Sequence, residues 1–124
     1  MTLKLTRTLF FGFIILLASC SPTVYTRITQ THPALQSNEE VRLIGLTEKL
    51  PDSAIVIGSV KIGDSGFTTD CGWNTVIEKA RMEARKIGGN GVKITSHLLP
   101  TALGSSCHRI TADILKLKPG TVPS

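Results

Sequence analysis

Leu9-Phe10-Phe11-Gly12-Phe13-Ile14-Ile15-Leu16-Leu17 is an unbroken apolar run, and nothing later in the 124-residue chain repeats it. Polar positions then dominate from Ser21 to about Glu40, where Thr, Ser, Gln and Asn alternate with the structure-breaking Pro22 and Pro33. This stretch reads as a tether, although Val24-Tyr25-Thr26-Arg27-Ile28 has the composition of a strand that could pair with the domain. From Val41 the pattern becomes that of a folded domain. Val41-Arg42-Leu43-Ile44-Gly45 alternates as a first strand, and Leu50-Pro51-Asp52-Ser53 is a turn. Residues 54 to 62 are β-branched through most of their length and form the clearest strand, with Ile55, Ile57 and Ser59 on one face and Val56, Val60 and Ile62 on the other. Gly63-Asp64-Ser65-Gly66 ends it.

The period then changes from two to 3.6. Trp73, Val76, Ile77, Ala80, Ala84 and Ile87 fall on one face of a helix, while Glu78, Lys79, Arg81, Arg85 and Lys86 take the solvated side. Thr69 or Asp70 is the expected cap of its first amides, and Gly88-Gly89-Asn90-Gly91 is a strong stop signal. Residues 92 to 97 alternate as a strand, Leu98 to Ser106 reads as a loop, and residues 107 to 117 form a last strand with Ile110, Ala112 and Ile114 inward. The order is β-β-α-β-β. One amphipathic helix must cover one face of a small, mostly antiparallel sheet, so the expected fold is a two-layer α+β domain. The chain divides into a leader at 1–19, a tether at 20–40, the globular domain at 41–118 and a mobile tail at 119–124.

The leader has a second feature. Lys4 and Arg7 precede the apolar run, and Leu17-Ala18-Ser19-Cys20 ends it, so small residues that fit a peptidase cleft lead directly to a thiol. The run is well short of the ~20 residues a membrane span needs. The pattern resembles the lipobox of bacterial lipoproteins, which implies cleavage before Cys20, a diacylglyceryl group on its sulfur and acylation of the new amino terminus. One buried acyl chain holds a protein only marginally, at about 0.8 kcal/mol per methylene, whereas two or more hold it stably. The same resemblance implies the outer membrane with the domain facing the periplasm. Ser21 follows the cysteine in place of the Asp that retains lipoproteins at the inner membrane, and no acidic cluster follows.

Loss of residues 1–19 leaves 105 residues, one small domain, and removes Lys4 and Arg7, so the formal charge falls from +5 to +3. The remaining cations are dispersed, with no basic tract interleaved with aromatics, which argues against nucleic acid as a partner. Of three cysteines, assigning Cys20 to lipid leaves Cys71 and Cys107. In an oxidising compartment they are expected to form a structural disulfide, worth roughly 3–4 kcal/mol by chain entropy. Two alternatives use the same residues. Cys71, Cys107, His108 and His97 have the chemistry of a zinc site, though without the Cys-x-x-Cys or His-x-x-x-His spacing that holds neighbouring ligands. Cys71 at a helix start, with His97 or His108 as base, is the outline of a thiol enzyme. Trp73 is expected as a core anchor on the first helical turn. Asp52, Asp64, Asp70 and Asp113 have no paired-carboxylate spacing, and the glycine-rich stretch follows a helix where a phosphate loop would precede one. No enzyme activity and no cofactor are expected.

From Ile57 to Leu117, about half the chain, the arrangement resembles the globular domain of the Rcs-type outer-membrane stress-sensor lipoproteins (the RcsF family). The likeness rests on a strand leading to Cys71, an amphipathic helix running into Gly88-Gly89-Asn90-Gly91-Val92-Lys93-Ile94, and Cys107-His108-Arg109 opening the last strand. It implies an envelope-sensing role through contact with an envelope protein. That family carries a second disulfide and a longer basic, proline-rich tether, neither of which is found here.

Overall fold

A computed structural model of the chain describes residues 22–64 and 71–119. Five strands and one helix occur in the order β1 (Thr23–Ile28), β2 (Arg42–Ile44), β3 (Ile55–Gly63), α1 (Trp73–Lys86), β4 (Gly91–Leu98) and β5 (Arg109–Lys116). They build one sheet in the order β1-β3-β5-β4-β2. Three neighbouring pairs are antiparallel and the β2–β4 pair is parallel. The expected two-layer α+β fold is the one observed, with α1 crossing from the end of β3 to the start of β4 and β5 inserted between those strands. No helix among the described residues is long and apolar enough to cross a membrane.

The helix forms where its period places it, and Val76, Ile77, Ala80 and Ala84 are buried. They pack with Ile57, Val60, Ile62, Val92, Ile94, Ile110, Ala112 and Ile114 into one core. Burial of each valine or isoleucine among them is worth about 1.5–3 kcal/mol. The cap differs from expectation. Gly72 is the N-cap, with no side-chain hydrogen bond to the first turn, while Thr69 and Asp70 lie outside the described residues. At the other end the glycine stop is as expected. Gly88 is left-handed at φ 82°, its amide donates to the Arg85 carbonyl, and the Gly89 amide donates back to Ala84 at 2.8 Å.

β3 departs from simple alternation. Val56 pairs with Leu115 and Gly58 pairs with Ile114, so Ile57 is the extra residue of a bulge. The bulge turns Ile57 into the core beside Val60 and Ile62, and leaves Ile55 and Val56 exposed. The expected grouping of Ile57 with Ile55 and Ser59 is thereby corrected. On the sheet's other face, Ile44, Leu115 and Leu117 make a second small cluster under Leu50 and Ala54.

The largest departure lies in residues 20–40, where the composition predicts a tether. Residues 23–28 are β1, paired in continuous register with β3 from Thr23↔Gly63 to Ile28↔Gly58. Thr26 adds a hydrogen bond from its hydroxyl to Glu83 of α1 at 2.8 Å. Beyond β1 the chain straps across the C-terminal end of the helix. The amides of His32 and Leu35 donate to the carbonyls of Ile87 and Arg85, and the Arg85 guanidinium donates to the Glu39 carbonyl. A Cβ on Gly88 would come within 2.6 Å of both His32 Cβ and the Pro33 carbonyl, which shows how closely the strap is seated. Threonine and glutamine make the segment look solvated because β1 is an edge strand and the strap lies on the surface.

Candidate functional site

One end of the sheet carries the cysteines, the histidine pair and the tryptophan. β3 and β4 finish there, β5 and α1 begin there, and the segments entering β5 and α1 are joined by Cys71 and Cys107. Their sulfurs are bonded at 1.99 Å with Cα atoms 5.0 Å apart, and the His108 amide donates to the Cys71 carbonyl. Both cysteines are buried. Bonded to each other, neither sulfur is a thiolate that could bind zinc or act as a nucleophile.

His97, on β4, pairs across the sheet with Ile110, and His108 lies two residues before Ile110 on the same face. The pleat therefore makes the two imidazoles diagonal neighbours. His97 Nε2 and His108 Nδ1 are 2.9 Å apart, and the ring centroids are 5.2 Å apart. The centroid distance exceeds the nitrogen distance by two ring radii, so the rings meet edge to edge along the N···N line. One nitrogen donates and the other accepts. The proton shared between these two nitrogens occupies the space where a cation would bind, so chelation by the pair would require loss of that hydrogen bond and a turn of one ring. Among the described residues no group of three or more His, Cys, Asp or Glu could hold a metal ion.

Trp73 completes the cluster from the first turn of α1. Its ring lies 4.6 Å from that of His97 and 5.8 Å from that of His108. It is half-buried and packs against the core, so the expected anchor is also a wall for the histidine pair. Burial first, and the charge of His108 second, hold the His97 imidazolium below the ordinary range. An imidazolium can still donate to its neutral neighbour, but a second proton removes the acceptor and breaks the bond.

A histidine whose folded pKa is depressed binds fewer protons when folded, so its contribution to stability is present above about pH 6.5 and is lost as the pH falls through the folded value. Thermal melts between pH 8 and pH 5 should therefore fall less steeply for His97→Gln than for the natural chain. Equal slopes would show that the pair carries no such linkage.

Sequence pattern alone puts His97 and His108 near this end as two separate surface residues, not as a bonded pair. The missing information is the β4–β5 register. Cys20 lies outside the described residues. No protein-family model, no curated protein and no solved structure matches this chain.

Proposed function

We propose that the chain is a non-catalytic, lipid-anchored lipoprotein of the outer membrane, facing the periplasm and acting as a binding or envelope-sensing domain through protein contacts of the kind made by Rcs-type sensors. Leu17-Ala18-Ser19-Cys20 after a charged start and an apolar run is the observation that carries the anchor. The disulfide supports an oxidising compartment. The contact role is supported by a cluster whose groups satisfy one another: sulfur with sulfur, imidazole with imidazole.

The test is a set of variants in a deletion strain, scored for envelope-stress survival with protein abundance checked. Cys20→Ala should abolish labelling by a clickable fatty acid, release the domain from membranes and fail to complement. Persistent labelling of that variant would overturn the anchor. His97→Ala and His108→Ala should complement. Loss of function with either one at normal abundance would favour a second reading, a small ligand- or metal-binding module, for which the His97–His108 pair is the supporting observation.

A further inference from the structure

The sheet end where β1 begins also carries the most exposed leucines among the described residues. Leu98 ends β4, and the loop after it holds Leu99 and Leu103. These residues are 54%, 63% and 103% exposed. From Leu98 to Ser106 there is no charged residue. The loop is fixed in place: the Thr101 amide donates to the Ser105 carbonyl, and the Ser105 hydroxyl donates to Asp64. Asp64 follows Gly63, and Gly63 is the register partner of Thr23, the first residue of β1. The leucines and the start of the folded chain therefore share one rim. Arg109, the register partner of Leu98, adds a cation there, and its buried Nε has no hydrogen-bond partner among the described residues.

We infer that this rim, with Leu98, Leu99 and Leu103 at its tip, rests in the headgroup region of the bilayer that holds the anchor. The inference rests on the lipid-anchor reading of Cys20. Only Ser21 and Pro22 separate Cys20 from Thr23, and three residue steps extend at most about 10 Å. A domain held that closely cannot swing its N-terminal rim away from the lipid. Exposed leucines cost free energy in water and gain it at a membrane interface, while a cation at the same level meets lipid phosphate. A protein partner could also cover three leucines. The bilayer is favoured because the chain itself brings it to this rim.

The experiment uses the full chain, processed and lipidated in cells, in nanodiscs of phosphatidylethanolamine and phosphatidylglycerol containing a doxyl-labelled lipid. Leucine, isoleucine and valine methyl signals are read by NMR. The signals of Leu98, Leu99 and Leu103 should be lost, while those of Ile55 and Val56, exposed at the opposite end of β3, remain. Intact mass reports the state of Cys20 in the same sample. Lipidated protein whose leucine signals survive as well as those of Ile55 would overturn the proposed surface and leave the anchor standing. An unmodified Cys20 with surviving leucine signals would overturn both. An unmodified Cys20 with lost leucine signals would overturn the anchor and keep the surface.

Discussion

Reduction of the Cys71–Cys107 bond will lower the melting temperature by roughly 15–30 °C. The two residues are 36 apart in sequence. Closing a loop of that length removes about 4 kcal/mol of chain entropy from the unfolded state, and each kcal/mol is worth about 4–8 °C in a domain of this size. The bond also cross-links the entries to α1 and β5, which the backbone otherwise joins only through the whole of α1 and β4. Cys71→Ser alone should destabilise nearly as much as Cys71→Ser with Cys107→Ser, because one substitution already opens the loop. Thermal melts with and without reductant make the comparison, and alkylation followed by intact mass reports the thiols. A shift below about 5 °C, or two free thiols in periplasmic material, would remove the staple from the account of stability.

Deleting residues 21–28 will abolish cooperative folding and will do so without any change in membrane reach being involved. The deletion strips six residues of register from β3, exposes its backbone edge and breaks the Thr26–Glu83 bond to the helix. It also frees the strap whose amides satisfy the carbonyls of Arg85 and Ile87 at the helix end. Unpaired backbone groups of this kind cost about 1–3 kcal/mol each where they stay buried, against a total stability of about 5–15 kcal/mol. Circular dichroism and a denaturant titration would decide. A deletion variant that melts cooperatively within a few degrees of the natural chain would show that β1 is dispensable. Reach is better tested by inserting a Gly-Ser spacer between Ser21 and Pro22, which lengthens the tether and leaves β1 intact.

The parts of the fold that are legible in the sequence are those whose neighbours are local. The 3.6 period from Trp73 to Ile87 needs only the helix itself to make sense, and Gly88 has to adopt a conformation other residues resist. Residues 54–62 read as a strand from their β-branched content. The bulge at Ile57 is not legible, because it is set by the register of β5 against β3, which is not written in the strand's own alternation. β1 is under-read for a similar reason: an edge strand buries little, so the strand composition of residues 24–28 comes without an inward-facing apolar alternation to fix its pairing. The histidine pair depends on a cross-strand register beyond the loop that joins β4 to β5. The Cys71–Cys107 bond needs no geometry once Cys20 is assigned to lipid as proposed, since the two remaining cysteines have a single way to pair.

With Cys20 as the proposed lipid anchor, tension between membrane and domain would enter the described residues at Thr23, where β1 begins. A pull from the proposed anchor would draw on the strand from the rim where β1 begins. Ladder bonds of an antiparallel pair lie across the strand axis, so such a load acts on all six β1–β3 register positions together instead of peeling them one at a time. The strap behind Ile28 is held on the helix end and resists the same displacement. Under the proposed anchor, a short, polar edge strand would thus serve as a shear-loaded mooring, in which the weakest-looking segment of the sequence bears the mechanical load.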